Sequence, residues 1–235
     1  MNPELDFEKR FRLVREVIET IVLTVLMFLV IRFAVQNFNV EGTSMEPRLH
    51  NGELILVDKW TYLFHPPERG DVIVFVAPPA PTLDYVKRII AVPGDRITIH
   101  NTTVIVDGVT LNETYVDPIN QGNLWADKTV ENMPVPPNMY FVLGDDRVRS
   151  DDSRDWGFVP RKNIIGRAAL VYWPLQQDNN GFLPNYSSVF ANVHQTGTTS
   201  NIQDSSANAI LMLLAPLTLC LLARQKSKRR HPDKS

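Results

Sequence analysis

The chain has 235 residues, 44% of them hydrophobic and 21% charged, with a formal net charge of −2. That balance supports one medium domain with a real core and excludes the broad basic field that nucleic-acid binding requires. The lone Cys220 excludes an intramolecular disulfide and a cysteine-rich zinc site, and the five histidines lack H-E-x-x-H spacing or close pairing, so no metal or cofactor is expected.

Residues 1–16 form a polar leader carrying Lys9, Arg10, Arg12 and Arg15. Residues 17–35 follow as an apolar stretch whose charges, Glu19 and Arg32, lie near its ends, which suits a transmembrane helix with interfacial charges. Basic residues before a first span favour the cytoplasmic side, so the chain is expected to start inside. No A-x-A-like site follows the apolar run, which argues against a cleaved secretory signal.

Residues 36–175 read as a β domain outside the membrane. Short β-branched runs, such as Leu54–Val57, Asp71–Val76, Arg88–Val92, Arg96–Ile99, Met139–Leu143 and Ala168–Trp173, alternate with turn residues such as Asn51-Gly52 and Pro93-Gly94-Asp95. Val104–Thr110 predicts a hairpin turning at Asp107-Gly108. The fold class expected is mainly β, an antiparallel sheet or barrel. Residues 176–207 are rich in Asn, Ser, Thr, Gln and Gly and read as a polar linker. Residues 208–223 form a second apolar stretch, short and interrupted by Pro216, that is expected to cross back, leaving the basic tail 224–235 cytoplasmic.

Three segments carry chemistry. Ser44 lies in a loop between Gly42 and Pro47, where a hydroxyl and nearby backbone N–H groups can serve a nucleophile and an oxyanion hole; the same residues also suit an ordinary loop. In Asp84-Tyr85-Val86-Lys87-Arg88, alternation puts Lys87 on the face of Tyr85 and Ile89. If that face is the core side, burial lowers the lysine pKa and makes a neutral amine available as a base; on an edge it is a solvated cation. Gly144 to Val159 follows a strand and is dense in Asp, Arg and Ser, which suggests a loop held by its own side chains. Trp60, Tyr62, Leu63 and Phe64 form an aromatic stretch suited either to the membrane interface or to core packing.

In order and wording these segments resemble bacterial type I signal peptidases. The resemblance runs from about Val17 to Trp173: a span, a serine followed by Met45 and Pro47, an Arg69-Gly70-Asp71 strand, Tyr85-Val86-Lys87-Arg88 ending in Pro93-Gly94-Asp95, and Gly144-Asp145-Asp146-Arg147 through Ser150-Asp151-Asp152-Ser153-Arg154-Asp155-Trp156-Gly157. It implies Ser44 as nucleophile and Lys87 as general base, with Ser150 orienting Lys87. It also implies Asp152 and Arg154 as a supporting pair, Asp145 and Arg147 in the same loop, and Gly42 beside the oxyanion. Phe38, Val40, Ile55, Val74 and Val86 match positions that line apolar pockets for small residues. Main chain near Gly42 and at Asp84, Tyr85 and Val86 is implied to pair with an extended substrate. The chain departs from the family pattern at Gly42, which brings no hydroxyl, at Arg48 in place of threonine, and at Asp146 in place of asparagine. The implied function is a monomeric plasma-membrane serine endopeptidase. It would cleave signal peptides of exported preproteins after small residues, with its catalytic domain on the extracytoplasmic side. A LexA-like serine–lysine protease and a membrane-tethered, inactive peptide-binding β module are the alternatives. The first lacks support because of the span, the second because Ser44, Lys87 and Ser150 are all present.

Overall fold

The computed structural model describes residues 3–100, 103–117, 128–174 and 181–193. Helix α1 (Pro3–Ala34) contains the stretch Arg12–Ala34, 23 residues long, in which an 18-residue window reaches a mean hydropathy of 2.3 and is not covered by protein. Such a length of exposed Leu, Val, Ile and Phe matches a bilayer's hydrocarbon thickness. The helix ends where Val35 and Gln36 turn extended, and the Lys59 N–H donates to the Ala34 carbonyl at 2.9 Å, fastening its end to the next strand pair.

The strands are β1 (Val35–Asn39), β2 (Leu54–Asp58), β3 (Val72–Ala77), β4 (Ala80–Ala91), β5 (Arg96–His100), β6 (Thr103–Val106), β7 (Val109–Thr110), β8 (Val130–Pro134), β9 (Met139–Leu143), β10 (Val159–Pro160), β11 (Ile164–Trp173) and β12 (Gly181–Phe182). Short helices α2 (Thr61–Phe64) and α3 (Ser153–Trp156) interrupt them. One sheet runs β1-β2-β11-β3-β4-β9-β10 with β12 on β11; the other runs β7-β6-β5-β8. Among the described residues, all pairings are antiparallel. The mainly antiparallel β architecture is the one expected, and the β6–β7 hairpin turns at Asp107 and Gly108, both at positive φ as a two-residue hairpin turn demands.

The core is divided. Phe38, Val40, Met45, Leu49, Ile55, Val57, Val72, Val74, Val86, Ala168 and Val171 cluster around β1, β2, β3 and β11. A second cluster joins Ile90, Phe141 and Leu143 to the small sheet.

Two expectations change. Tyr62 is buried and donates to Asp71 at 2.8 Å, whereas Leu63 and Phe64 beside it are 72% and 53% exposed, so the aromatic stretch is part core and part surface. The polar linker expected over 176–207 is not a linker in its described part: Gly181–Val193 carries β12 and a 3₁₀ turn, and Phe190 and Val193 are buried in the second cluster. Tyr186, Val189, Phe190 and Val193 follow a helical i, i+3, i+4, i+7 spacing that the surrounding polar composition outweighs. The second apolar stretch, 208–223, and the tail lie outside the described residues.

Candidate active site

The site lies where β4 faces the segment that follows β1. β3 holds β4 in register, Ile73 opposite Lys87 and Val74 opposite Val86. Lys87 is only 4% exposed, on the face it shares with Ile89. Its Nζ donates to Ser44 Oγ at 2.5 Å. Burial lowers the Lys87 pKa to about 8; the carboxylates of Asp152, Asp151 and Asp145 oppose that shift, and Arg154 adds to it.

Ser44 sits in a turn fixed from both sides. Gly42 adopts φ +92, a conformation open to glycine, and its N–H donates to Asn51 Oδ1 at 2.8 Å. The N–H groups of Glu46, Arg48 and Leu49 close the turn on Thr43 and Met45. None of these bonds engages the Ser44 N–H. The Ser44 carbonyl accepts the Asp146 N–H at 3.0 Å. Gly144 is required here for another reason: a Cβ on it would collide with the Ser44 carbonyl and the Ser150 side chain.

A cleft of about 410 Å³ opens over the pair, lined by Phe38, Val40, Gly42, Ser44, Ile55, Val74, Asp84, Tyr85, Val86 and Lys87. The floor residues Val40, Ile55 and Val74 belong to the first core cluster, which makes the cleft apolar at its base. Asn39, Glu41, Thr43, Arg149 and Asp151 also line it, although the sequence did not single them out.

The loop from Gly144 to Ser153 lies behind. Asp152 and Arg154 form a buried bidentate pair at 2.8 Å, and Asp152 accepts the Gly144 N–H at 3.1 Å. Burial works to raise the Asp152 pKa, but Arg154 overrides it, helped by Ser150 and the Gly144 N–H, and the carboxyl stays below its ordinary value. Ser150 is buried, but its Oγ is out of hydrogen-bonding geometry with Lys87 Nζ, unlike the contact the resemblance implies. Asp145 and Arg147 do share the loop, yet they do not pair with each other. Asp145 accepts two hydrogen bonds from Arg88, at 2.8 and 2.6 Å. Arg147 reaches Glu113 at 2.6 and 2.5 Å and the Gly144 carbonyl at 2.9 Å. Behind the cleft, sequence reasoning also missed Glu113 and gave Arg88, though part of the lysine motif, no role of its own. Their partners stand 34 and 57 residues away, and no local pattern joins them.

Comparison with known proteins decides the family. Residues 14–173 match the family model described as signal peptidase, peptidase S26. The chain belongs to that family. Its relatives include signal peptidase I of Bacillus caldolyticus, 43% identical over 62% of this chain and 83% of the relative. Signal peptidase I of Leptolyngbya laminosa is 37% identical over 69% and 81%. Among solved structures, a signal peptidase I from Enterococcus faecalis V583 is 35% identical, with a TM-score of 0.38 over 43% of this chain and 95% of that one. As a member of the signal peptidase family, the chain is a signal-peptide-cleaving peptidase, and its family match covers Ser44, Lys87 and the loop behind them.

Proposed function

We propose that this chain is a membrane-anchored serine endopeptidase in which Ser44 and Lys87 form the catalytic dyad. The observation that carries the reading is the 2.5 Å contact between a buried lysine and a serine hydroxyl in the wall of an apolar-floored cleft. The signal peptide lies extended between Gly42 and Asp84–Val86, its small side chains set against Phe38, Val40, Ile55, Val74 and Val86. Neutral Lys87 removes the Ser44 proton as Oγ attacks the scissile carbonyl. The Ser44 N–H stabilises the oxyanion, since the Gly42 N–H is already held by Asn51. Collapse breaks the C–N bond, and Lys87 returns the proton to the leaving amine. A water activated by the same amine then hydrolyses the acyl-enzyme. Ser150 turns its hydroxyl to Lys87 during this cycle and orients it, while Asp152–Arg154, Asp145 and Arg147 hold the loop.

α1 crosses the bilayer with its basic leader cytoplasmic and the β domain outside, and the chain acts as a monomer without a cofactor. Exposed Leu63 and Phe64 rest in the lipid interface close to the α1 exit. The stretch 208–223 returns the tail to the cytoplasm. The dyad is tested by cleavage of a preprotein in detergent. Ser44→Ala and Lys87→Ala each abolish activity in a folded chain, and the double variant is little worse than either, because the two act as one unit. Substantial activity in Lys87→Ala would refute the assignment.

A further inference from the structure

The segment Gly181–Val193 lies beyond the residues that match the family, yet it packs onto the strand carrying Lys87. Tyr186, Val189, Phe190 and Val193 all join the cluster that holds Ile90 and Ala91 of that strand, and two of the rings bear on the site. The Phe190 ring covers Gly70, where an added Cβ would meet it at 3.2 Å. The Tyr186 ring stands edge-on to Tyr115 at 5.2 Å, and the Arg88 guanidinium lies over both rings, 4.3 Å from the Tyr115 centroid and 5.0 Å from that of Tyr186.

Arg88 links the two halves of the site. It follows Lys87 on β4, donates to the Gly70 carbonyl at 2.8 Å and grips Asp145 with two bonds. Asp145 precedes Asp146, whose N–H holds the Ser44 carbonyl. The Arg88–Asp145 pair therefore ties the strand of the base to the loop that fixes the nucleophile. A buried guanidinium is stabilised by π faces on the sides its carboxylate leaves open. Tyr186 supplies one of those faces from the segment that follows β12.

We propose that Gly181–Val193 is a strap that positions the catalytic base, with Tyr186 acting through Arg88 and Asp145. The proposal rests on Lys87 being the base, but it is read out on Lys87 itself. Loss of the Tyr186 ring admits water beside Arg88, loosens its grip on Asp145 and relieves the burial that keeps the Lys87 amine low.

The test uses the full chain in detergent micelles, with graded-pH acetylation of Lys87 followed by mass spectrometry, a titration that needs no turnover. Cleavage of a signal-peptide substrate is measured on the same samples. Tyr186→Phe retains the wild-type Lys87 titration and rate. Tyr186→Leu fills the volume without a π face, and Tyr186→Ala removes both. In each, Lys87 titrates about one pH unit higher, and kcat at pH 7 falls about tenfold with KM unchanged. A folded Tyr186→Leu chain with the wild-type Lys87 titration overturns the proposal. A Tyr186→Leu chain that does not fold also overturns it, because the segment is then part of the core alone. Loss of the dyad reading is distinguishable: it shows as cleavage activity in Lys87→Ala, whatever Tyr186 does to the Lys87 titration.

Discussion

The pH at which Lys87 loses its proton is the most quantitative consequence of the site. Its pKa falls from 10.5 to about 8, mainly because the amine is buried. At pH 7 about 9% of the enzyme then carries the neutral amine, and at pH 9 about 91%, by the ordinary titration relation. A lysine left at its solvent value would be about 0.03% neutral at pH 7, so burial multiplies the available base about 300-fold there. The rate should therefore rise about tenfold between pH 7 and pH 9, with a slope near one on a logarithmic plot below about pH 7.5. The assay is kcat/KM of the full chain in detergent on a labelled signal-peptide substrate, with tryptophan fluorescence monitoring the fold at every pH. A rate flat or falling from pH 6 to pH 9, or a midpoint above 10, would refute the link between burial and base catalysis.

Lys87→Met should raise stability while abolishing cleavage. Below pH 8 the native state buries a charge that the unfolded chain solvates, a cost of about 3 kcal/mol from the drop from 10.5 to about 8. The unfolded state binds more protons between those values, so wild-type stability rises with pH across that window. The advantage of Lys87→Met in denaturant titrations should shrink over the same range, and an advantage independent of pH would be inconsistent with this account. Gly144→Ala should lower activity by about 100-fold or more and cost about 1–3 kcal/mol, because its methyl has no room beside the Ser44 carbonyl; wild-type kinetics in that variant would refute the close-packing argument. Phe190→Ala should destabilise the β domain by about 3–5 kcal/mol in urea or thermal unfolding, as loss of a buried aromatic does. A linker residue would give almost no change.

Much of this was legible in the chain. The β-branched runs name most strands, because a strand with one buried face writes its pattern every second residue. The start of β4 was not visible, since Ala80-Pro81-Thr82-Leu83-Asp84 lacks that signature and is recruited by pairing with β3. β8 was missed for a similar reason: only Val130 in it is buried, and the strand forms by pairing with β5. Ser44, Lys87 and eight more of the residues lining the cleft came from motif wording, and the fold brings them together there. The charges behind the site could not be read in the same way. Arg88 alternates away from Lys87 and looks like a solvated cation. It is buried only because a carboxylate far along the chain neutralises it, and two tyrosines, one of them in the apparent linker, cover it.

β1 also fixes a distance. It spans five residues from the end of α1 to the mouth of the cleft, or about 17 Å at roughly 3.3 Å per residue. If α1 stops at the bilayer surface, an extended substrate alongside β1 needs a similar number of residues between its own apolar helix and the bond to be cut. The strand therefore acts as a fixed spacer, and its register with β2, Phe38 opposite Ile55, keeps the spacer's end aligned with the cleft. One residue added to both strands would turn Phe38 away from the cleft, because successive side chains alternate faces. Two would restore its face and carry Ser44 about 7 Å farther from the end of α1.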